Sequence, residues 1–123
     1  QGKKILVCVT QQKTCERLIK KGAFIRDELG GELYIIHVAL NGLKFLGNSK
    51  EGEALEYLFG ISKSVGAELN VLRSDNIQKT IVEFAKEHKI TDVIVGEPPQ
   101  DNSSDIISEL KHKLNNAEIH IMP

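Results

Sequence analysis

The sequence lacks the means for several common functions. Hydrophobic residues make up 41 % of it, yet no run approaches the roughly 20 apolar residues that a bilayer crossing needs, so no direct membrane insertion is expected. Sixteen basic residues stand against seventeen acidic ones, which leaves no global field to gather nucleic acid or anionic lipid. The only two cysteines, Cys8 and Cys15, stand seven apart, a spacing that fits neither a zinc knuckle nor a redox CxxC pair. Both are expected to be buried thiols in a reducing, cytoplasmic compartment. Signal, transit and lipidation motifs are missing. The chain opens Gln1-Gly2 without an initiator methionine and stops at Pro123 directly after an apolar strand. These ends suggest one domain, residues 1–123, excised from a longer protein, with Gln1-Gly2 a cloning remnant.

Catalytic signatures are missing too. A phosphate-accepting receiver domain needs acidic residues after its first strand and an aspartate at the end of its third, where this chain has Val9-Thr10-Gln11-Gln12 and Ser74. A Walker loop or dinucleotide fingerprint needs glycines after the first strand so that backbone amides can surround phosphate, and Thr10 to Thr14 contains none. The hydroxyls of Thr10 and Thr14 at a helix N-terminus leave a flavodoxin-like phosphate cradle as an alternative. No GxSxG elbow and no recognisable cysteine–histidine signature supply a nucleophile, so no catalytic residue is expected. His37 lies within a strand and has no partner at metal-ligand spacing; it is expected to be a hydrogen-bonded core residue, and no metal site is expected.

What the chain does contain is a regular alternation of strand and helix signals. Lys3 to Val9 (KKILVCV) and Thr91 to Gly96 (TDVIVG) are continuous apolar runs, the mark of strands covered on both faces and therefore central. Glu32 to Ala39 is rich in β-branched and aromatic residues, Glu68 to Arg73 alternates as an edge strand does, and Ala117 to Met122 closes the series. Helical stripes fall at Cys15, Leu18, Ile19, Gly22, Ile25 and Leu29, then at Ala54, Leu55, Leu58, Ile61, Ser62 and Val65. Two more follow, at Ile77, Ile81, Phe84, Ala85 and His88 and at Ile106, Ile107, Leu110 and Leu114. The pairs Asn48/Glu51 and Asp75/Gln78 have capping-box spacing at two helix starts, and Asn102, Ser103 or Ser104 can cap the last helix. Lys13, Arg17, Lys20 and Lys21 share a helix face that is either solvated or an anion or partner site. The apolar loop Leu40 to Asn48, made pliable by Gly42 and Gly47, either packs onto its neighbours or closes over a ligand.

This order predicts an α/β fold, a three-layer α/β/α sandwich on a five-stranded parallel sheet with right-handed crossovers. Ligands of such folds sit beyond the carboxyl ends of central strands, where the strand order reverses. The stretch TDVIVGEPPQDNSSDIISEL (91–110) is then one wall of the crevice and Thr10 to Gln12 the facing one. The candidate ligand-binding residues are Val9, Thr10, Gln11, Gln12, Val38, Gly96, Glu97, Ser103 and Ser104.

The strand KKILVCV, the helix and strand TCERLIKKGAFIRDELGGELYIIHV and the segment EFAKEHKITDVIVGEP resemble the universal stress protein family. They are most like the universal stress protein domain in the cytoplasmic amino-terminal region of KdpD-type potassium- and osmosensing histidine kinases. The resemblance covers nearly the whole chain; ERLIKKGA, with Glu16 to Ile19, and DVIVG are its most recognisable pieces. It implies strand order 3-2-1-4-5 with the switch point between Thr10 and Gly96. It also implies that the usual ATP motif is degenerate: Thr10 stands for the adenine-contacting aspartate, Pro99 for the second phosphate-loop glycine, and Glu109-Leu110 for the closing glycine and hydroxyl residue. Proline offers no amide and glutamate repels phosphate. The cyclic di-AMP signature of some KdpD-type domains also departs, at Thr10-Gln11-Gln12 and Leu33 to His37. The resemblance therefore implies a non-catalytic regulatory domain that requires no cofactor and has the other domains of a parent kinase as partners. The alternative is a free-standing stress protein binding ATP, AMP or cyclic di-AMP through Thr10, Gln11, Gly96, Ser103 and Ser104. Family members often dimerise through the last strand, here Ala117 to Met122.

Overall fold

In the computed structural model, which describes residues 2–97 and 105–123, five strands alternate with four helices. The elements are β1 (Lys3–Cys8), α1 (Gln12–Leu29), β2 (Gly31–Leu40), a 3-10 turn (Phe45–Gly47), α2 (Glu51–Ser64), β3 (Glu68–Ser74), α3 (Ile77–Glu87), β4 (Asp92–Gly96), α4 (Asp105–Lys113) and β5 (Glu118–Met122). All strand pairs are parallel and the sheet order is β3-β2-β1-β4-β5, as the resemblance implies.

The two-sided apolar runs sit where their chemistry demands. On one face of the sheet, Ile5, Val7 and Val9 of the β1 segment and Ile94 of β4 pack against Cys15, Leu18 and Ile19 of α1 and Ala54 and Leu58 of α2. On the other, Leu6, Cys8, Val93 and Val95 pack against Ile81, Phe84 and Ala85 of α3 and Leu110 and Leu114 of α4. Each fully buried aliphatic side chain contributes about 1.5–3 kcal/mol, so the center of the sheet carries most of the hydrophobic stabilisation. α1 lies close over the sheet because Gly22 has no side chain: a Cβ there would stand 2.5 Å from Val7 Cγ2. The turn from α1 into β2 depends on Gly31, whose φ is 132° and whose added Cβ would meet the Lys3 carbonyl oxygen at 1.9 Å.

Two helix starts differ from the sequence expectation. α2 begins at Glu51 rather than at Asn48 or Ser49, because the Glu51 carboxylate accepts the Phe45 N–H at 3.0 Å, leaving the expected box with Asn48 unmade. α3 is capped by Asn76, whose side-chain oxygen accepts the Lys79 N–H at 3.0 Å, while the Asp75 carboxylate is taken by the Asn41 amide. In both cases a contact from outside the helix outcompetes the reciprocal pair, from the preceding turn at Glu51 and from the loop after β2 at Asp75. The expected caps Asn102, Ser103 and Ser104 lie outside the described residues.

Candidate functional site

Parallel pairing places the carboxyl ends of β1 and β4 side by side, and their chains leave in opposite directions: β1 feeds α1 beneath one face, β4 leads to α4 on the other. Between them opens a crevice of about 380 Å³, within the range of small-molecule sites. Its floor is apolar, formed by Ile36 and Val38 of β2, Val95 of β4 and Ile77 and Ile81 of α3. The polar groups sit at its mouth: Thr10 and Gln11 after β1, Thr14 and Arg17 of α1, and Glu97 after β4. Arg17 and Glu97 bring opposite charges to that rim.

Six of the nine residues expected from sequence, Val9, Thr10, Gln11, Val38, Gly96 and Glu97, line this crevice. Gln12 does not. Its side chain accepts a hydrogen bond from Asn48 Nδ2 at 2.8 Å and faces a separate, shallow groove of about 800 Å³ between the start of α1 and residues 46–49. Ser103 and Ser104 lie outside the described residues. At Gly96 an added Cβ would make ordinary contact with Leu18 Cδ1 at 3.6 Å, so packing among the described residues does not demand glycine there. The Glu97 N–H donates to the Met122 carbonyl at 2.7 Å, which ties the exit of β4 to the end of β5.

Thr14, Arg17, Ile77 and Ile81 were not among the nine expected crevice residues, although Thr14 belonged to the alternative phosphate cradle and Arg17 to the candidate anion or partner stripe. The usable signal for the first two was position: the opening turns of a helix that follows a central strand hang over the carboxyl end of the sheet. Arg17 was placed instead in a stripe with Lys13, Lys20 and Lys21. The structure divides that stripe, sending Arg17 to the crevice, Lys13 to the shallow groove and Lys20 into an ion pair with Glu16 at 2.9 Å. α1 also starts without a side-chain cap at Gln11 and without an acidic residue in its first turn. Among the described residues, no side-chain cap and no acidic residue of its own first turn neutralises its first N–H groups and positive dipole end.

The titratable groups near the crevice are tuned away from nucleophilic chemistry. Burial pushes the Cys8 thiol up to about 12 and also raises the Cys15 thiol, whose Sγ donates to the Gln12 carbonyl at 3.2 Å. Protonated thiols of this kind are inert. His37 is 3 % exposed and hydrogen-bonded, its Nδ1 2.9 Å from the Val9 carbonyl and its Nε2 2.8 Å from the Leu46 amide. Burial holds it below its ordinary value, against an opposing contribution from the Val9 carbonyl.

A second polar cluster lies at the opposite end of β4. Asp92, 1 % exposed, accepts from Thr91 Oγ1 at 2.7 Å and pairs with His120 Nε2 at 3.0 Å and Lys3 Nζ at 3.6 Å. Glu118 stands nearby, and the ligating atoms of Asp92, Glu118 and His120 lie within 4.8 Å of one another. Both oxygens of Asp92 are engaged by the chain's own donors, one by Thr91 and Lys3, the other by His120. The cluster is an ion-pair network that fastens β4 to β1 and β5.

No protein-family model matches the chain. Among curated proteins it is 28 % identical over 94 residues to the sensor protein KdpD of Escherichia coli (strain K12), a match covering 76 % of this chain and 10 % of that protein. It is 25 % identical over 124 residues to the putative sensor protein KdpD of Synechocystis sp., covering 97 % of this chain and 33 % of that one. The chain thus spans about a tenth to a third of the length of these relatives. Among solved structures, a universal stress protein from Archaeoglobus fulgidus superposes with a TM-score of 0.71 at 19 % identity, over 98 % of this chain and 93 % of that one. A universal stress protein in complex with cAMP gives 0.72 at 14 % identity, over 99 % and 97 %. The A. fulgidus protein in complex with dAMP gives 0.68 at 19 % identity, over 98 % of each. The chain therefore has the five-stranded universal stress protein fold and is related in sequence to the KdpD sensor proteins.

Proposed function

We propose that this chain is a non-catalytic regulatory domain of a KdpD-type sensor histidine kinase. It would modulate signalling in response to potassium or osmotic conditions from the cytoplasmic side of a membrane-anchored parent. The observation that carries this reading is the pairing of a KdpD sequence relationship with an open crevice at the switch point whose nearby thiols are held protonated. Such a site can bind and transmit a signal through β1, β4 and α1 without making or breaking a bond. The other domains of the parent kinase are the partners, and no metal or obligatory cofactor enters the scheme.

The second reading, a free-standing stress protein that binds ATP, AMP or cyclic di-AMP, is favoured by two observations. Fold neighbours hold cAMP and dAMP, and the uncapped start of α1 with Arg17 offers an anion a place at the crevice mouth. Against it stand Thr10 at the adenine-contacting position and Pro99, Glu109 and Leu110 in the phosphate motif. Titration calorimetry separates the two. The regulatory reading expects no nucleotide heat at sub-millimolar concentrations and a changed potassium response when this segment is deleted from the parent. Micromolar binding of ATP, AMP or cyclic di-AMP favours the second reading, and an unchanged response under every ionic condition overturns the first.

A further inference from the structure

We infer that residues 41–48 form a proton-released latch, held shut by neutral His37. Two hydrogen bonds fix the state of the ring. The Val9 carbonyl, 2.9 Å from Nδ1, can only accept, so Nδ1 carries the proton; the Leu46 N–H, 2.8 Å from Nε2, can only donate, so Nε2 carries a lone pair. Of the three forms of an imidazole, the Nδ1–H neutral tautomer alone satisfies both. The other neutral tautomer and the imidazolium each set an N–H against the N–H of Leu46.

The segment held by this bond is built to move as a unit. Leu46 buries its side chain to 3 % exposure while its backbone adopts the left-handed region at φ 56°, unusual for a branched residue, and Gly42 and Gly47 on either side have φ 87° and 62°. Its other ties run to neighbouring elements nearer the surface: Phe45 N–H to Glu51 at 3.0 Å, Asn48 Nδ2 to Gln12 at 2.8 Å, Arg73 Nη1 to the Leu43 carbonyl at 2.7 Å, and Asn41 to the Ser74 carbonyl and the Asp75 carboxylate.

The charged surroundings offer nothing to stabilise an imidazolium. From β3, Arg73 lies 4.1 Å over the Phe45 ring, which itself stands edge-on to His37 at 5.8 Å between centroids. From α2, Glu51 is occupied by the Phe45 amide and by Arg73 at 3.7 Å. The turn contributes Lys44, another cation, and the chain after β1 the Val9 carbonyl at Nδ1. Among the described residues no carboxylate hydrogen-bonds the ring, and burial independently disfavours its charge. Protonation therefore breaks the Leu46 bond and releases the turn. Leu46, Gly47 and Asn48 share a groove wall with Gln11 and Gln12, and Gln11 also lines the crevice, so release of the turn alters one rim of the candidate site. The inference goes beyond the regulatory reading and stands whether or not the chain serves a kinase.

Nuclear magnetic resonance on this chain tests it, with ring nitrogen shifts reporting the tautomer of His37 and amide exchange reporting the turn. The expected result is an Nδ1–H neutral ring at pH 7.5 and a Leu46 protection factor that falls at least about tenfold through the His37 midpoint, while the Leu6 and Val93 amides stay protected. A His37→Phe variant should leave the Leu46 amide unprotected at every pH. An Nε2–H neutral ring, Leu46 protection that ignores the His37 titration, or simultaneous loss at Leu6 and Val93 overturns the inference. Should His37→Phe fail to fold, the wild-type ring and amide titrations decide alone.

Discussion

Asp92 of β4 and His120 of β5 face each other across the parallel pair with 3.0 Å between carboxylate and imidazole, and Asp92 is almost wholly buried. Burial alone would raise its carboxyl. Hydrogen bonds from Thr91 and His120, together with the charges of Lys3 and His120, outweigh that and hold it below the ordinary aspartate value. With a depressed folded value, the stability linked to Asp92 is complete above the ordinary aspartate value and is lost as pH falls through the depressed one. Asp92→Asn leaves Lys3 and His120 facing a neutral amide and is expected to cost about 1–3 kcal/mol near neutral pH. Urea denaturation between pH 2 and 7 checks this, with the variant showing a shallower acid limb.

Gly22 and Gly60 are both helical glycines, and the structure assigns them opposite responses to alanine. At Gly22 the new methyl would stand 2.5 Å from Val7 Cγ2 and 3.0 Å from Leu33 Cδ1, so α1 must lift from the sheet. Overpacking of this kind costs about 1–3 kcal/mol. Nothing lies within 4 Å of the Cβ position at Gly60, in the interior of α2, where alanine is expected to stabilise by about 0.5–1 kcal/mol. Thermal melts of the two single variants report the contrast in sign.

What was legible in the sequence, and what was not, follows the same division between local and tertiary forces. Ile5 to Val9 and Val93 to Val95 announce central strands because burial on both faces leaves no polar position. The resemblance carried by the same strands and α1 supplied the strand order that the sheet displays. The crevice was legible to the extent that topology alone dictates it, which is why Val9, Thr10, Val38 and Gly96 fall on it. Arg17 was not, since helical periodicity puts it on the polar side of α1 without saying that this side overhangs the end of the sheet. Glu51 and Asp75 mislead for a related reason: each has a cap partner at the right spacing, and each is claimed instead by a residue outside its helix, Glu51 by Phe45 of the preceding turn and Asp75 by Asn41 from the loop after β2.

Buried, protonated thiols should be slow to react. With its value pushed up to about 12, Cys8 has on the order of 10⁻⁴ of its population as thiolate at pH 8. Maleimide labelling of the folded chain is expected to proceed slowly at both cysteines and to become fast in denaturant. Rapid labelling of Cys8 without unfolding would show that the crevice floor is open and its thiol activated.

Among the described residues β5 pairs only with β4, and Ile121 on it is 40 % exposed. Self-pairing of this edge between two copies is expected, and Ile121→Lys should weaken it without affecting the fold, because the substituted side chain points to solvent. Light scattering at high concentration tests the expectation: a dimeric mass that the variant reduces supports it, and a monomeric mass for the parent chain contradicts it.

The regulatory reading is tested most directly by plugging the crevice inside the parent kinase. Thr10→Trp introduces a ring at an exposed position of the crevice mouth, so the domain is expected to stay folded while entry to the space beside Val38 and Ile81 is blocked. Autophosphorylation of the KdpD-type kinase carrying this variant is measured across a potassium series, with circular dichroism confirming the fold. The account predicts a response to potassium that is shifted or flattened relative to the unmodified kinase. A folded variant whose response is superimposable on the unmodified one would contradict it.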